Sequence, residues 1–201
     1  MPSMLAVACG LVVLSGLPSL PAAAQSESMP VEVAPFRTVE LRSGGKVIVR
    51  HGPAQRVTFL KGSPGDAQVT VSAGGGLIIE KRKSKGARRS ELEIEVLTPE
   101  LIGVTVAHGG MIQSRGSFPR QAALVATVDN GGTVDVRSMS VGTVSASVLS
   151  GGKIFAKPLT AMAASVVDGG NITYWGDARV TQSIQRGGVI EKGDPSEADE
   201  P

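Results

Sequence analysis

Five Gly-Gly pairs recur at short, nearly even intervals in the second half of this chain of 201 residues. The pairs are Gly109–Gly110, Gly131–Gly132, Gly151–Gly152, Gly169–Gly170 and Gly187–Gly188. Their first glycines are 22, 20, 18 and 18 residues apart. A period of this length is typical of a repeat architecture, in which each unit buries its apolar face only against its neighbours.

The residues around each pair also recur. Positions are numbered here from the first glycine of a pair, so that −3 lies three residues before it. The apolar positions are −7 (Ile102, Leu124, Val144, Met162 and Val180), −3 (Val106, Val128, Val148, Val166 and Ile184) and +3 (Ile112, Val134, Ile154, Ile172 and Ile190). Position −4 always carries a hydroxyl: Thr105, Thr127, Ser147, Ser165 and Ser183. In a β-strand, −7, −5 and −3 share one face and −4 lies on the other.

This pattern predicts parallel strands that stack in register. Successive turns of the chain would pair about 4.8 Å apart, with aliphatic columns inside and a hydroxyl column outside. Glycine pairs at the corners would supply the positive φ angles that such turns need. The alternative is an antiparallel sandwich with Gly-Gly hairpins, but hairpins would place mirror-image patterns on the two sides of each turn. We therefore predict a short parallel β-helix, or solenoid, of about five coils over residues 98–190.

The region before it, residues 35–97, alternates apolar and polar residues in short stretches separated by glycine-rich breaks, as at Ser43–Gly44–Gly45. Period-two alternation with close turns is typical of antiparallel hairpins. No apolar period of 3.6 residues is sustained after residue 24. The fold class predicted is all-β, with antiparallel β-hairpins leading into the parallel β-helix as parts of one domain.

The two ends of the chain have different compositions. Residues 1–24 contain no charged side chain and include an apolar run, followed by small residues at Ala22 and Ala24. This predicts a signal peptide cleaved near Ala24, and hence an exported protein that is periplasmic, on the cell surface or secreted. The alternative, a transmembrane anchor, has too short an apolar run. Residues 25–34 form a polar leader, and residues 191–201 an acidic tail expected to be disordered.

Composition bears on chemistry. One cysteine and two histidines leave little material for a disulfide framework, a metal cluster or a Ser-His-Asp relay. A formal net charge of +2 gives no reason to expect nucleic acid as a partner. Asp135 has no acidic neighbour at the same position of most other repeats, so the paired carboxylates of a glycoside hydrolase do not emerge. We expect no catalytic residues, no cofactor and no metal; the alternative function is a carbohydrate-active β-helix enzyme acting on polysaccharide.

Two groups of residues are candidate binding sites. The first is a basic segment, interpreted as a hairpin loop that contacts an anionic surface; its basic residues are Lys81, Arg82, Lys83, Lys85, Arg88 and Arg89. The alternative is a solvated loop, partly neutralised by Glu91, Glu93 and Glu95. The second is Tyr174–Trp175, whose rings are suited to stacking on a sugar; the alternative is a ring that caps the last coils.

Three stretches together resemble the auto-transporter adhesin head GIN domain family. They are residues 36–49 (FRTVELRSGGKVIV), residues 95–101 (EVLTPEL) with the glycine repeats that follow, and residues 169–188 up to the last Gly-Gly pair. The resemblance covers about residues 35–190 and implies an exported bacterial β-solenoid domain with an adhesin-like role. It supplies no catalytic residues. The chain differs from the family by its basic insertion and by Ala178, where proline is common.

The function expected from the sequence is therefore a non-enzymatic, adhesin-like or cell-envelope interaction domain. Its expected partners are an envelope glycan, lipopolysaccharide or a surface protein, with oligomers formed through the solenoid ends.

Overall fold

The computed structural model describes residues 29–82 and 91–198. Its strands are β1 (Met29–Val31), β2 (Thr38–Arg42), β3 (Lys46–His51), β4 (Arg56–Lys61), β5 (Ala67–Val71), β6 (Gly76–Lys81), β7 (Glu93–Thr98), β8 (Gly103–Ala107), β9 (Met111–Ser114), β10 (Gln121–Asp129), β11 (Thr133–Asp135), β12 (Val141–Ser150), β13 (Lys153–Ala156), β14 (Pro158–Asp168), β15 (Asn171–Tyr174), β16 (Arg179–Arg186) and β17 (Val189–Lys192). The described residues contain no α-helix, only a 3-10 turn at Pro195–Glu197. The all-β prediction is confirmed.

The strands form two mixed sheets. A nine-stranded sheet has the order β1-β4-β7-β3-β9-β11-β13-β15-β17, and an eight-stranded sheet has the order β16-β14-β12-β10-β8-β2-β6-β5. The strand before each predicted Gly-Gly pair lies in the eight-stranded sheet and the strand after it in the nine-stranded sheet. We call such a pair of strands a rung: β8–β9, β10–β11, β12–β13, β14–β15 and β16–β17.

The rungs pair in parallel, and the pairing aligns equivalent repeat positions. Val128 lies beside Val106 on one side and Val148 on the other, and Thr127 is likewise flanked by Thr105 and Ser147. The same register continues through β14 to β16. The predicted inner columns are buried except at Ile102, in the first predicted repeat, and in the last rung, where Val180, Ile184 and Ile190 are not fully buried. Ile102, just before β8, is 38% exposed, and Ile184, in the last rung, is 47% exposed.

The prediction of antiparallel hairpins over residues 35–97 is correct only in part. Strand β5 is antiparallel to β6, and β4 is antiparallel to both β1 and β7. In contrast, β2 is parallel to β6 and β8, and β3 is parallel to β7 and β9. Strands β2 and β3 therefore form a sixth rung, stacked directly on β8–β9.

The turn of this sixth rung has the backbone of a repeat corner. Ser43, Gly44 and Gly45 have φ angles of 65°, 85° and 103°, close to the 62°, 85° and 102° of His108, Gly109 and Gly110. Its apolar residues Val39, Leu41 and Val47 stand at −5, −3 and +3 and are buried. The hairpin interpretation failed here because a Gly-Gly pair is compatible with either turn, and the next rung lies 65 residues later, beyond the inserted strands β4–β7.

The basic segment is not a hairpin loop either. Strand β6, before it, belongs to the eight-stranded sheet, whereas β7, after it, belongs to the nine-stranded sheet. The segment therefore connects the two sheets. Its glutamate neighbours are paired elsewhere: Glu93 lies 3.2 Å from Lys61, and Glu95 lies 3.0 Å from Arg50.

Candidate functional site

Charged side chains are concentrated on the strands before the repeats. On the nine-stranded sheet, Lys61 lies 3.1 Å from Glu91 and 3.2 Å from Glu93, and Lys46 contacts Glu93 at 4.0 Å. Hydrogen bonds from the ammonium to Glu91 and Glu93 raise the pKa of Lys61 above its usual value. This part of the sheet is thus covered by ion pairs.

The eight-stranded sheet has a different outer face over the repeats. We call the part of this face on β8, β10, β12 and β14 the hydroxyl face; its residues are Thr105, Ala107, Ala123, Val125, Thr127, Asp129, Thr143, Ser145, Ser147, Leu149, Ala161, Ala163, Ser165 and Val167. The neighbouring strand β16 adds Arg179, Thr181, Ser183 and Gln185 at its edge. Of the fourteen residues of the hydroxyl face, only Asp129 is charged. Val125 is 52% exposed and Leu149 is 41% exposed. The surface is therefore almost uncharged, with hydroxyls in line and methyl groups between them.

The geometry of the hydroxyl face follows from the parallel register. Thr127, Ser147 and Ser165 are direct neighbours on successive strands, so their side chains repeat at the strand spacing of about 4.8 Å. A shallow depression runs beside this column; it is lined by Val125, Ser145, Ser147, Ala163, Ser165 and Thr181, among others. Small side chains at −6 and −4 produce this depression, because no bulky residue stands between the strands.

A second polar cluster lies on the nine-stranded sheet, and of its residues only Trp175 was predicted from the sequence as a candidate for binding. The Arg137 guanidinium donates to both carboxylate oxygens of Asp135, at 3.0 and 2.7 Å. Its carbon atom also lies 5.3 Å from the ring centroid of Phe155 and 5.0 Å from that of Trp175. Bidentate pairing and cation–π contact both favour a fixed guanidinium. The carboxylate of Asp135 is thus engaged by an arginine instead of a second acid.

The C-terminal segment, Gly193–Ala198, covers this cluster. Trp175 donates its indole N–H to the carbonyl of Asp194 at 2.7 Å, and Arg137 donates to the carbonyl of Glu197 at 2.7 Å. Trp175 is only 3% exposed as a result. The 3-10 turn is stabilised by Asp194, whose carboxylate accepts from the Ser196 hydroxyl and main-chain N–H; these bonds lower the pKa of Asp194.

The residues predicted as sites are placed as follows. Lys81 ends β6 and Arg82 follows it, with its main-chain N–H donating to Asp66 at 2.8 Å. Lys83, Lys85, Arg88 and Arg89 lie outside the described residues, as do residues 1–24 with the predicted signal peptide. Tyr174 is half-buried against the core at the end of β15. Stacking of a sugar on Trp175 stays a prediction, and it requires that the C-terminal segment move away.

Residues 191–198 belong to the segment that was predicted as a disordered acidic tail. Residues 191 and 192 belong to β17, and residues 193–198 pack on Trp175 as described. The acidic composition that indicated disorder is offset here by an indole ring and a guanidinium, both of which bind main-chain carbonyls. Composition alone does not reveal such a contact.

The described residues show neither a metal-binding cluster nor a candidate membrane helix. Across residues 29–82 and 91–198, no group of three His, Cys, Asp or Glu side chains is arranged to hold an ion. In the same residues there is no helix with the length and hydropathy of a membrane span. His108 occupies a repeat corner, and His51 makes an edge-to-face contact with Phe118 at 6.0 Å.

No protein-family model and no curated protein sequence matches this chain. Among solved structures, it is similar to a Bacteroides fragilis protein described as a "putative adhesin", with 16% identity, a TM-score of 0.49, and coverage of 85% of this chain and 98% of that one. A Parabacteroides distasonis "putative lipid binding protein" has 16% identity, a TM-score of 0.33 and coverage of 84% and 96%. A Clostridium sporogenes "putative cell adhesion protein" has 12% identity, a TM-score of 0.41 and coverage of 84% and 99%.

Proposed function

We propose that this chain is an exported, non-enzymatic interaction domain of the cell envelope that binds a neutral glycan on its hydroxyl face. We propose further that its rungs wind as a short β-solenoid, as the resemblance to the GIN domain family implies. The observation that carries the proposal is the near absence of charge on the hydroxyl face. Exposed protein surfaces are ordinarily rich in charged residues, and a wide uncharged face with exposed aliphatic side chains is typical of a binding surface.

Neutral sugars fit this surface chemically. Their hydroxyl groups can donate to and accept from Thr127, Ser147 and Ser165, and their C–H faces can contact Val125 and Ala163. Each contact is weak, and the regular column allows several to form along one polymer. A charged polymer would lack ion-pair partners on this face.

The test compares two single substitutions that add the same charge. Ala163→Glu places a carboxylate in the middle of the hydroxyl face, whereas Thr133→Glu places one on the outer face of β11, beside Lys153. We expect wild type and Thr133→Glu to be retained on immobilised dextran, mannan or galactan, and Ala163→Glu to lose retention at least tenfold. Retention of Ala163→Glu equal to wild type, or no retention of wild type, would contradict the proposal.

A second candidate surface is the basic segment. Glu91, Glu93 and Glu95, which follow this segment, each form an ion pair with Lys61, Lys46 or Arg50. We propose that it contacts an anionic surface such as lipopolysaccharide phosphate. Replacing Lys83 and Lys85 by serine should weaken binding to lipopolysaccharide vesicles and leave neutral-glycan retention unchanged. Equal loss of both would argue against two separate surfaces.

Absence of catalysis is part of the same proposal. Incubation with the glycans that bind should release no reducing ends and no unsaturated products. Release that disappears in Asp135→Asn would favour the polysaccharide-degrading alternative.

A further inference from the structure

The stack ends at β16–β17 without a covering element among the described residues. Ile184 is 47% exposed, although Val106, Val128, Val148 and Val166 occupy the same column and are fully buried. Every residue of β16 is exposed or half-buried. The interior of the protein thus opens at this edge, since no following rung covers it. Repeat proteins normally protect such an end.

The main chain of β16 has hydrogen-bonding groups that could pair with another strand. In β10, the N–H of Val125, at position −6, donates to the preceding rung at 3.0 Å. Because main-chain groups alternate along a strand, those of positions −7, −5 and −3 are directed to the following rung. In β16 these positions are Val180, Gln182 and Ile184. Their N–H and C=O groups face the open edge.

The sequence of β16 is complementary to itself about Gln182. In an antiparallel pair with Gln182 opposite its own copy, Val180 lies opposite Ile184, and Thr181 lies opposite Ser183. Arg179 lies opposite Gln185, so no like charges face each other. The inner apolar columns continue across the junction. Each of the three edge-facing residues, Val180, Gln182 and Ile184, is then hydrogen-bonded to the residue opposite it in the other copy.

Gln182 itself is the departure from the repeat. Position −5 carries Val104, Ala126, Ala146 and Ala164 in the other four predicted repeats. A glutamine in an interior column is costly unless its amide is bonded. On a two-fold axis, the amides of two Gln182 side chains can donate to and accept from each other. The departure from the repeat at Gln182 would therefore supply a hydrogen-bonded pair of amides at the centre of the dimer.

We propose that two copies of this chain associate end to end, with their β16 strands antiparallel about a two-fold axis at Gln182. The contact is closed, because the two edges cover one another. A single strand pair is a small interface, so the dimer is expected to be reversible and concentration-dependent.

Disulfide trapping tests the register. The chain from residue 25 onward retains every described strand and lacks Cys9, the one native cysteine. In this form, Gln182→Cys should oxidise to a covalent dimer, because hydrogen-bonded antiparallel partners have Cα atoms about 5.5 Å apart. Gln185→Cys is the matched control: two copies of residue 185 would be about 20 Å apart and should remain monomeric. Dimers from both variants, or from neither, would overturn the proposal.

Sedimentation velocity tests the edge without a cross-link. Ile184→Glu places a charge in the inner column of the open edge, and Gln185→Glu adds the same charge on the outer side of the same strand, where it would lie opposite Arg179 of the other copy. We expect wild type and Gln185→Glu to shift from monomer to dimer as concentration rises, and Ile184→Glu to stay monomeric with an unchanged circular dichroism spectrum. A monomeric wild type at millimolar concentration, or assembly that continues beyond the dimer, would overturn the proposal.

Discussion

The two glycines of a corner have different surroundings. A Cβ on Gly151 would meet nothing closer than the Gly131 nitrogen at 4.0 Å. A Cβ on Gly152 would lie 2.5 Å from Cγ1 of Val128 and 2.8 Å from the carbonyl oxygen of Gly132. That same oxygen accepts a 2.9 Å hydrogen bond from Lys153. The first glycine therefore serves only its positive φ angle, while the second also allows successive rungs to approach.

This difference predicts unequal effects of the same substitution. Gly151→Ala should lower the free energy of unfolding by about 1–2 kcal/mol, the cost of a left-handed alanine. Gly152→Ala adds steric overlap with Val128 and with the main chain of the preceding rung, and should cost about 3 kcal/mol or more. Urea unfolding followed by circular dichroism measures both. Equal losses would show that the rungs separate easily at the corners.

At the scale of the element, the repeat columns were predictable and the placement of the inserted strands was not. Each column is a local pattern whose period survives changes of residue, as with Val128 and Val148. The partners of β2 are β6 and β8, which begin 38 and 65 residues later, and no short pattern encodes such a choice. Glu40 and Arg37 stand where the repeats have a hydroxyl and an apolar residue, which concealed the sixth rung.

Of the two candidate sites, the hydroxyl column could be predicted from the sequence, whereas the cluster around Trp175 could not. The hydroxyl column at −4 is visible in the sequence because each residue occupies the same repeat position. Its significance as a face depends on what flanks it, namely small residues at −6 and very little charge. The Trp175 cluster was not predictable, because it joins Asp135, Arg137 and Phe155 to a segment whose composition resembles a disordered tail.

The C-terminal segment offers a direct spectroscopic test. A Cβ on Gly193 would lie 2.3 Å from Cε2 of Trp175, whose ring has little freedom between Phe155 and the segment. Gly193→Ala should therefore displace the segment and expose the indole. Since Trp175 is the sole tryptophan, its fluorescence should shift to longer wavelength and become more accessible to iodide. Gly74→Ala, at a position with open space and no positive φ, should leave the emission unchanged.

For the whole molecule, stability should vary along the stack. Each rung contacts only its neighbours, so the central strands are supported on both sides and β16 on one. Local opening is easiest where few buried contacts must be lost. The amides of Thr181 and Ser183, which face β14, should exchange with solvent much faster than those of Ser145 and Ser147, which occupy the same positions in β12.

Hydrogen exchange also links this gradient to the proposed dimer. In a monomer, the edge-facing amide of Gln182 has solvent as its partner and should exchange rapidly at every protein concentration. In the two-fold pair it donates to the other copy, so its protection should rise with concentration while that of Ser145 remains constant. The β16 amides would then approach the protection of the interior rungs, because the pairing supplies the missing neighbour. Protection at Gln182 that is independent of concentration would indicate that the edge is covered within a single chain.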